Sequence, residues 1–208
     1  VTVSGIEQAS GETANNFTSS VSYTVTAQNG SSEDYTVTAE TANMMHRAYL
    51  KAPNNSDDDQ FGRSIDLFGH TAVIGADQES SNTTAIINGS DLAATNDGGT
   101  DNGAAYVFVR EGETWSSQAY LKAPNNSNGD YFGQSVTISG DTIAVGALSE
   151  QSTTSAIIHG TNLGATNDIG TDRGAVYVFV RNGTEWSHQA YLKAPNCSDG
   201  DTFGSVVA

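Results

Sequence analysis

The sequence predicts an all-β molecule, a partial β-propeller made of four-stranded antiparallel blades in an incomplete ring, preceded by a β-sandwich fragment. Two observations predict the propeller part. A 71-residue unit at 51–121 returns at 122–192 with 43 of 71 positions identical and no gap, and a third copy starts at Lys193. Within each copy, short runs of Val, Ile, Tyr, Phe and Trp are separated by turn residues, and no segment carries an apolar stripe of helical period. A repeat of this length built from strands indicates a propeller or a stacked β array. Two copies and a fraction do not close a ring, which needs at least about four blades.

In chain order, residues 1–40 differ from the repeat. VTVSGI alternates apolar and polar residues, and VSYTVTAQ and DYTVTAE flank Asn29 and Gly30. Period-2 alternation around an Asn-Gly pair signals a hairpin. Tyr35, Val37 and Ala39 should share one face, with Thr36 and Thr38 on the solvated other. The segment 41–50 ends like each repeat: Met44 stands where Trp115 and Trp186 stand, which places the first blade strand before Lys51. His46 is expected at an exposed edge. Pro53, Pro124 and Pro195 should end such strands, since proline lacks a ladder donor.

Each copy then offers four strands. The first runs over 61–67 and 132–138; a tight turn at Gly69 and His70, or Gly140 and Asp141, leads into the second. The third spans 104–110 and 175–181, and the fourth 115–121 and 186–192. Glycines after Phe61 and Phe132, and in the IGA and VGA runs, mark close backbone approach. The repeated aromatics Tyr106, Phe108, Trp115 and Tyr120 fill space between blades or stack on a ligand. The connections 78–102 and 149–173 are far longer than the usual few residues, and each holds an apolar island at Ile86 and Ile87 or Ile157 and Ile158. These islands should pack on the blade rim, while the loops offer a place for partner contact.

Charge bounds the partners. With 24 acidic and 8 basic residues the net charge is -16, a field that repels nucleic acid and anionic membranes and favours cations or basic partners. No 18-residue apolar run spans a membrane. Cys197 is the single cysteine, so it is a free thiol or has a partner outside this chain. The chain opens on VTVSG and stops within an expected strand, so an excerpt of a longer protein is expected, whose parent supplies the signal peptide and the remaining blades.

Two resemblances sharpen this. VSGIEQASG and NFTSSVSYTVTAQNGSSEDYTVTA resemble the end of bacterial cadherin-like or immunoglobulin-like β-sandwich modules, which implies a spacer over 1–40. Over 41–208, the pattern of Phe61 and Gly62, Gly75 and Ala76, then AAYVFVR and WSSQAYLKAPN resembles the FG-GAP repeat of integrin alpha-like propellers. Phe132 and Gly133 with Gly146 and Ala147 form the second copy, and Phe203 and Gly204 begin the third; the proline of the motif is absent from both full copies. The resemblance implies an extracellular or cell-surface, non-enzymatic module for adhesion or for recognition of a protein or carbohydrate ligand. A spacer array, or a non-catalytic part of a secreted polysaccharide-acting enzyme, is the alternative.

The family's calcium turn is not carried over. It uses spaced oxygens suited to a six- to eight-ligand ion, whereas the turns here offer Asp141 in one copy and His70 in the other. Weaker cation candidates are Asp59, Asp130 and Asp201, which recur in all three copies, and the loop-end pairs Asp97 with Asp101 and Asp168 with Asp172, accompanied by Asn96, Asn167, Thr95 and Thr166. The same residues form Asx-turns without metal. His46, His70, His159 and His188 lack ligand spacing, and no phosphate loop or nucleophile motif is present, so no enzyme and no cofactor are expected. Sequons stand at Asn16, Asn29, Asn54, Asn82, Asn88, Asn125, Asn182 and Asn196.

Overall fold

A computed structural model describes residues 2–3, 6–7, 20–38, 48–91, 96–160, 162–163 and 167–208. The expectations placed on Ala39, Met44, His46, Thr95, Thr166 and Asn16 lie outside these residues. The described residues form strands, turns and loops without any helix. The chain divides into two compact units, Val1–His46 and Arg47–Ala208.

The first unit holds one antiparallel sheet in the order β2-β1-β3-β4, from β1 (Thr2–Val3), β2 (Ile6–Glu7), β3 (Val21–Thr26) and β4 (Ser32–Val37). The β3–β4 hairpin turns at Gly30, whose φ of 86° suits glycine, and Asn29 Oδ1 accepts from Ser31 N at 3.0 Å. Register pairs Tyr23 with Tyr35 and Ser22 with Thr36, so aromatic and hydroxyl residues segregate to opposite faces as the alternation predicts. The polar face is a ladder: Ser20–Thr38, Ser22–Thr36 and Thr26–Ser32 pair hydroxyls, and Thr24 donates to Asp34.

The second unit contains two sheets built alike. Blade 1 comprises β5 (Ser64–Phe68), β6 (Thr71–Ala76), β7 (Ile87–Asn88), β8 (Ala104–Glu111) and β9 (Thr114–Leu121), in the order β5-β6-β8-β9-β7. Blade 2 comprises β10 (Phe132–Ser139), β11 (Thr142–Ala147), β12 (Ile158–His159), β13 (Ala175–Asn182) and β14 (Glu185–Leu192), in the equivalent order β10-β11-β13-β14-β12. The four expected strands are all present. A fifth, two residues long, comes from each long loop and pairs the outermost strand, Ile87 with Tyr120 and Ile158 with Tyr191. The apolar islands thus sit on the rim, where Ile86 and Ile158 pack against the inter-blade core and Ile87 against that of blade 1.

β9 pairs with β8 of its own copy, so each sheet runs from the FG strand to the Trp strand of the same 71-residue unit. Ala48, Tyr49 and Leu50 carry no strand, and the rest of the segment expected to begin the first blade lies outside the described residues.

The blades meet through β10, which lies against β5 and β6. Val73, Val107 and Ala119 of blade 1 share one buried cluster with Val136, Ile138 and Ile143 of blade 2. Glycines make the approach possible. Gly75 faces the backbone carbonyl of Gly133, where a β-carbon would collide, and Ser64 Oγ donates to that same carbonyl at 2.8 Å. Gly146, Ser135 and Gly204 repeat the arrangement for the start of the third copy. Polar contacts complete the interface: Asp66 Oδ2 accepts from Thr137 Oγ1 and Ile138 N, which holds its carboxyl below the usual range. Asn88 on β7 accepts from Trp186 N at 2.8 Å and donates to its carbonyl at 3.1 Å.

Candidate functional site

The strand directions divide polar chemistry between two ends of the blades. The end bearing the long loops and KAPN segments holds the acidic residues singled out as cation candidates. Asp59, Asp130 and Asp201 each accept from the amide three positions earlier, at 2.7, 2.9 and 2.6 Å from Ser56, Ser127 and Ser198. Their recurrence is explained by turn formation. Asp97 and Asp168 join them through shared serines, since Ser56 Oγ donates to Asp97 and Ser127 Oγ to Asp168, each at 3.2 Å. Asp101 and Asp172 go elsewhere. Both have positive φ, and their carbonyls accept from Tyr131 N and Thr202 N, seating the next copy's FG segment. Asn96 Oδ1 closes a turn with Gly98 N at 2.9 Å, and Asn167 Oδ1 accepts from Thr153 N.

Beside these lies a buried ion pair that sequence reasoning missed. Lys122, directly after β9, reaches Glu79 at 3.0 Å with side-chain exposures of 0% and 1%. Its remaining protons go to the carbonyls of Ser81 and Gly103, at 2.7 and 2.6 Å. Glu79 also accepts from Asn54, which accepts from Tyr106 Oη at 2.7 Å. Blade 2 repeats this with Lys193 and Glu150 at 2.7 Å, Asn125 and Tyr177. The available signal was that a Lys and a Glu recur at a fixed offset. Burial pulls the Lys122 ammonium down and pushes Asp130 up to about 8, the latter helped by Glu150 and Asp168 nearby. Among the described residues, Asp130 Oδ1 and Asp59 Oδ1 have no hydrogen-bond partner.

The opposite end carries the tight turns, and between those of the two blades lies a groove of about 480 Å³. Phe68, His70, Arg110 and Glu111 line it from blade 1, Asp141 and Arg181 from blade 2, with Thr71 and Gln118 between them. Arg181 is fully engaged: it pairs with Asp141 at 2.6 Å, donates to Thr71 and Gln118, and stacks over the Trp186 ring at 5.1 Å. Gln118 Oε1 also accepts from Trp186 Nε1 at 2.8 Å. Arg110 lies over Trp115 at 5.9 Å and donates to His70 Nδ1 at 3.0 Å. Phe68 is 51% exposed, an aromatic surface where blade 2 has Ser139. Sequence reasoning missed the groove because Phe68 and His70 are positions at which the copies disagree.

Comparison with known families decides the architecture: the model described as FG-GAP repeat matches residues 45–108 and 115–179, well over half of the chain. The chain belongs to the FG-GAP repeat family. A second model, described as SGBP, N-terminal, matches residues 1–39. No curated protein matches the chain closely enough to count as a relative. Both kinds of domain are typical of extracellular or surface-associated proteins, and FG-GAP repeats are generally non-catalytic.

The FG-GAP calcium turn does not fit these residues. Each turn has two central residues, and Asp141, the one carboxylate in either, is held by Arg181 at 2.6 Å. Among the described residues no group of three or more His, Cys, Asp or Glu side chains converges. His188 is buried, donating from Nδ1 to Gly160 O at 2.7 Å and lying edge-on to Tyr177 and Phe179; burial pushes it below the usual imidazole range. Cys197 is a half-buried free thiol beside Arg173. Three sequon asparagines are engaged inside the fold, Asn54 and Asn125 in the buried networks and Asn88 across the blades.

Proposed function

We propose that this FG-GAP protein is a non-enzymatic, cell-surface recognition module that binds a glycan in the groove between its blades. The observation that carries this is the groove itself: an exposed Phe68 with His70, Glu111, Gln118 and Arg181 around it, on a sheet scaffold. Sugar rings offer apolar C–H faces to an aromatic surface and hydroxyls to amide and guanidinium donors, and the volume falls within the range of small-ligand sites. The SGBP N-terminal match supports a glycan as the ligand class. In this scheme residues 1–40 are the end of a sandwich-type module, cadherin- or immunoglobulin-like as their sequence resembles, and 41–208 supply the propeller repeats. An array of soluble glycans probed with the purified chain tests the idea. Binding that falls at least about tenfold in Phe68→Ser is expected; failure to bind any glycan rejects it.

A second reading, a scaffold array without its own ligand, is favoured by one feature. Ile65 and Leu67 are 66% and 57% exposed, while their counterparts Val136 and Ile138 are buried against blade 1. A further blade would cover that face, and the surrounding propeller would then be the functional unit.

A further inference from the structure

We propose that the glycan bound in the groove is an amino sugar, and that Glu111 is the residue that takes its ammonium group. This rests on the glycan reading above and adds the charge of the ligand. Strand register shows which side chains share the groove. Phe68 pairs with Thr71 across one ladder and Thr71 with Val109 across the next, so the three stand on one face of blade 1. That face is turned to blade 2, since Thr71 Oγ1 accepts from Arg181 at 3.2 Å. Two residues beyond Val109 on β8, Glu111 has the same direction and lines the groove together with Phe68. Arg110, between them, is directed to the other face, where its guanidinium lies over Trp115.

The charges of the groove reduce to one. Arg181 and Asp141 balance each other at 2.6 Å. His70 accepts from Arg110 at Nδ1, which leaves that imidazole neutral. Glu111 is exposed, and among the described residues it forms no ion pair. Gln118 engages its Oε1 with Arg181 and Trp186 and keeps Nε2 as a donor for a ring hydroxyl. The repeat supplies the control. At the equivalent positions blade 2 has Ser139 for Phe68 and Asn182 for Glu111. Two differences confined to copy one thus fall on the same face, one adding an aromatic surface and the other a carboxylate. Together they match a ring with apolar C–H faces and a cationic substituent. The net charge of -16 favours the same ligand, because its field attracts cations and repels an acidic glycan.

The test is calorimetric titration of the whole chain with three probes: tri-glucosamine in its ammonium form, its fully N-acetylated counterpart, and a Lys-containing tripeptide. The amine is expected to bind at least about tenfold more tightly than the N-acetylated sugar, with an affinity that falls as salt rises. Glu111→Gln should lose about tenfold. Asp57→Asn, which removes the same charge from an exposed position at the opposite end of the blade, should leave binding unchanged. Thermal melts of these surface variants confirm folding. Equal binding of the two sugars, unaffected by Glu111→Gln, overturns the ammonium contact while leaving the glycan site standing. Equal losses in Glu111→Gln and Asp57→Asn overturn the role of Glu111 and assign the preference to the field of the whole molecule. Binding of neither sugar overturns the amino-sugar assignment, and the glycan array decides the broader reading separately. Tripeptide binding equal to that of tri-glucosamine, with the same sensitivity to Glu111→Gln, overturns the sugar.

Discussion

Trp115 and Trp186 hold the same place in the repeat, yet one is half-exposed and the other 2% exposed. The same contrast separates Ile65 from Val136, Leu67 from Ile138 and Arg110 from Arg181. In each pair the blade 2 residue is covered by blade 1, and the blade 1 residue has no blade on that side. The repeat is written for an interface, so every copy carries both halves of one joint. What a residue contributes to stability depends on whether its half is engaged, and the identical residue in the other copy is the control.

The largest break in this comparison is expected at the lysines. Lys122 is buried against Glu79, whereas Lys51, at the same repeat position, is exposed and bonds Asn55. Removing one partner of a buried pair leaves the other charge without compensation. Lys122→Ala should therefore cost about 3–5 kcal/mol, and Lys51→Ala no more than about 0.5 kcal/mol. Urea denaturation of both variants measures the difference. Equal costs would show that the charge network does not stabilise the blade.

The next largest concerns the tryptophans. Trp186→Ala removes a buried ring, its bond to Gln118 and the platform under Arg181, and should cost about 3 kcal/mol or more. Trp115→Ala, on the uncovered face, should cost about 1 kcal/mol. The same measurement sharpens the claim, because a Trp115 cost as large as that of Trp186 would mean that blade 1 is covered in solution.

These pairs also show what was legible in sequence. Strand number, order and turn positions followed from apolar residues that recur, because packing between repeated sheets demands the same shapes in each copy. The apolar islands announced themselves in the same way, but β7 and β12 did not, since two residues within a polar loop carry no periodic signal. The lysine–glutamate pair recurs just as faithfully. It was passed over because charges usually mark solvated surface, and nothing in a linear pattern says that residues 43 apart meet in the core. The acidic positions were visible and their chemistry was not: Asp59 and Asp130 shape turns, and their link to Asp97 and Asp168 through a serine needed coordinates. The groove was least legible, because repeat logic directs attention to shared residues and its character lies in Phe68 and His70, which are not shared.

A pH dependence again sets one copy against the other. Asp130 is nearly hidden from water with one oxygen unpartnered, and its folded value is pushed up to about 8 by burial, from an ordinary 3.8. A carboxyl raised in the folded state favours folding in its protonated form. That contribution is fully present below the unfolded value, near pH 4, and is lost as pH rises to about 8, above which it stays constant. Asp130→Asn keeps the acceptor for Ser127 N and cannot ionise. It should be near neutral at pH 4 and increasingly more stable than the parent as pH rises toward 8. Asp59 is also raised by burial, but it is less deeply enclosed than Asp130. Its Asn variant should show the same sign with a shallower slope. Thermal melts from pH 4 to 9 measure both slopes. A flat Asp130→Asn difference would mean that the carboxyl stays ionised in the fold, with its second oxygen finding compensation outside the protein.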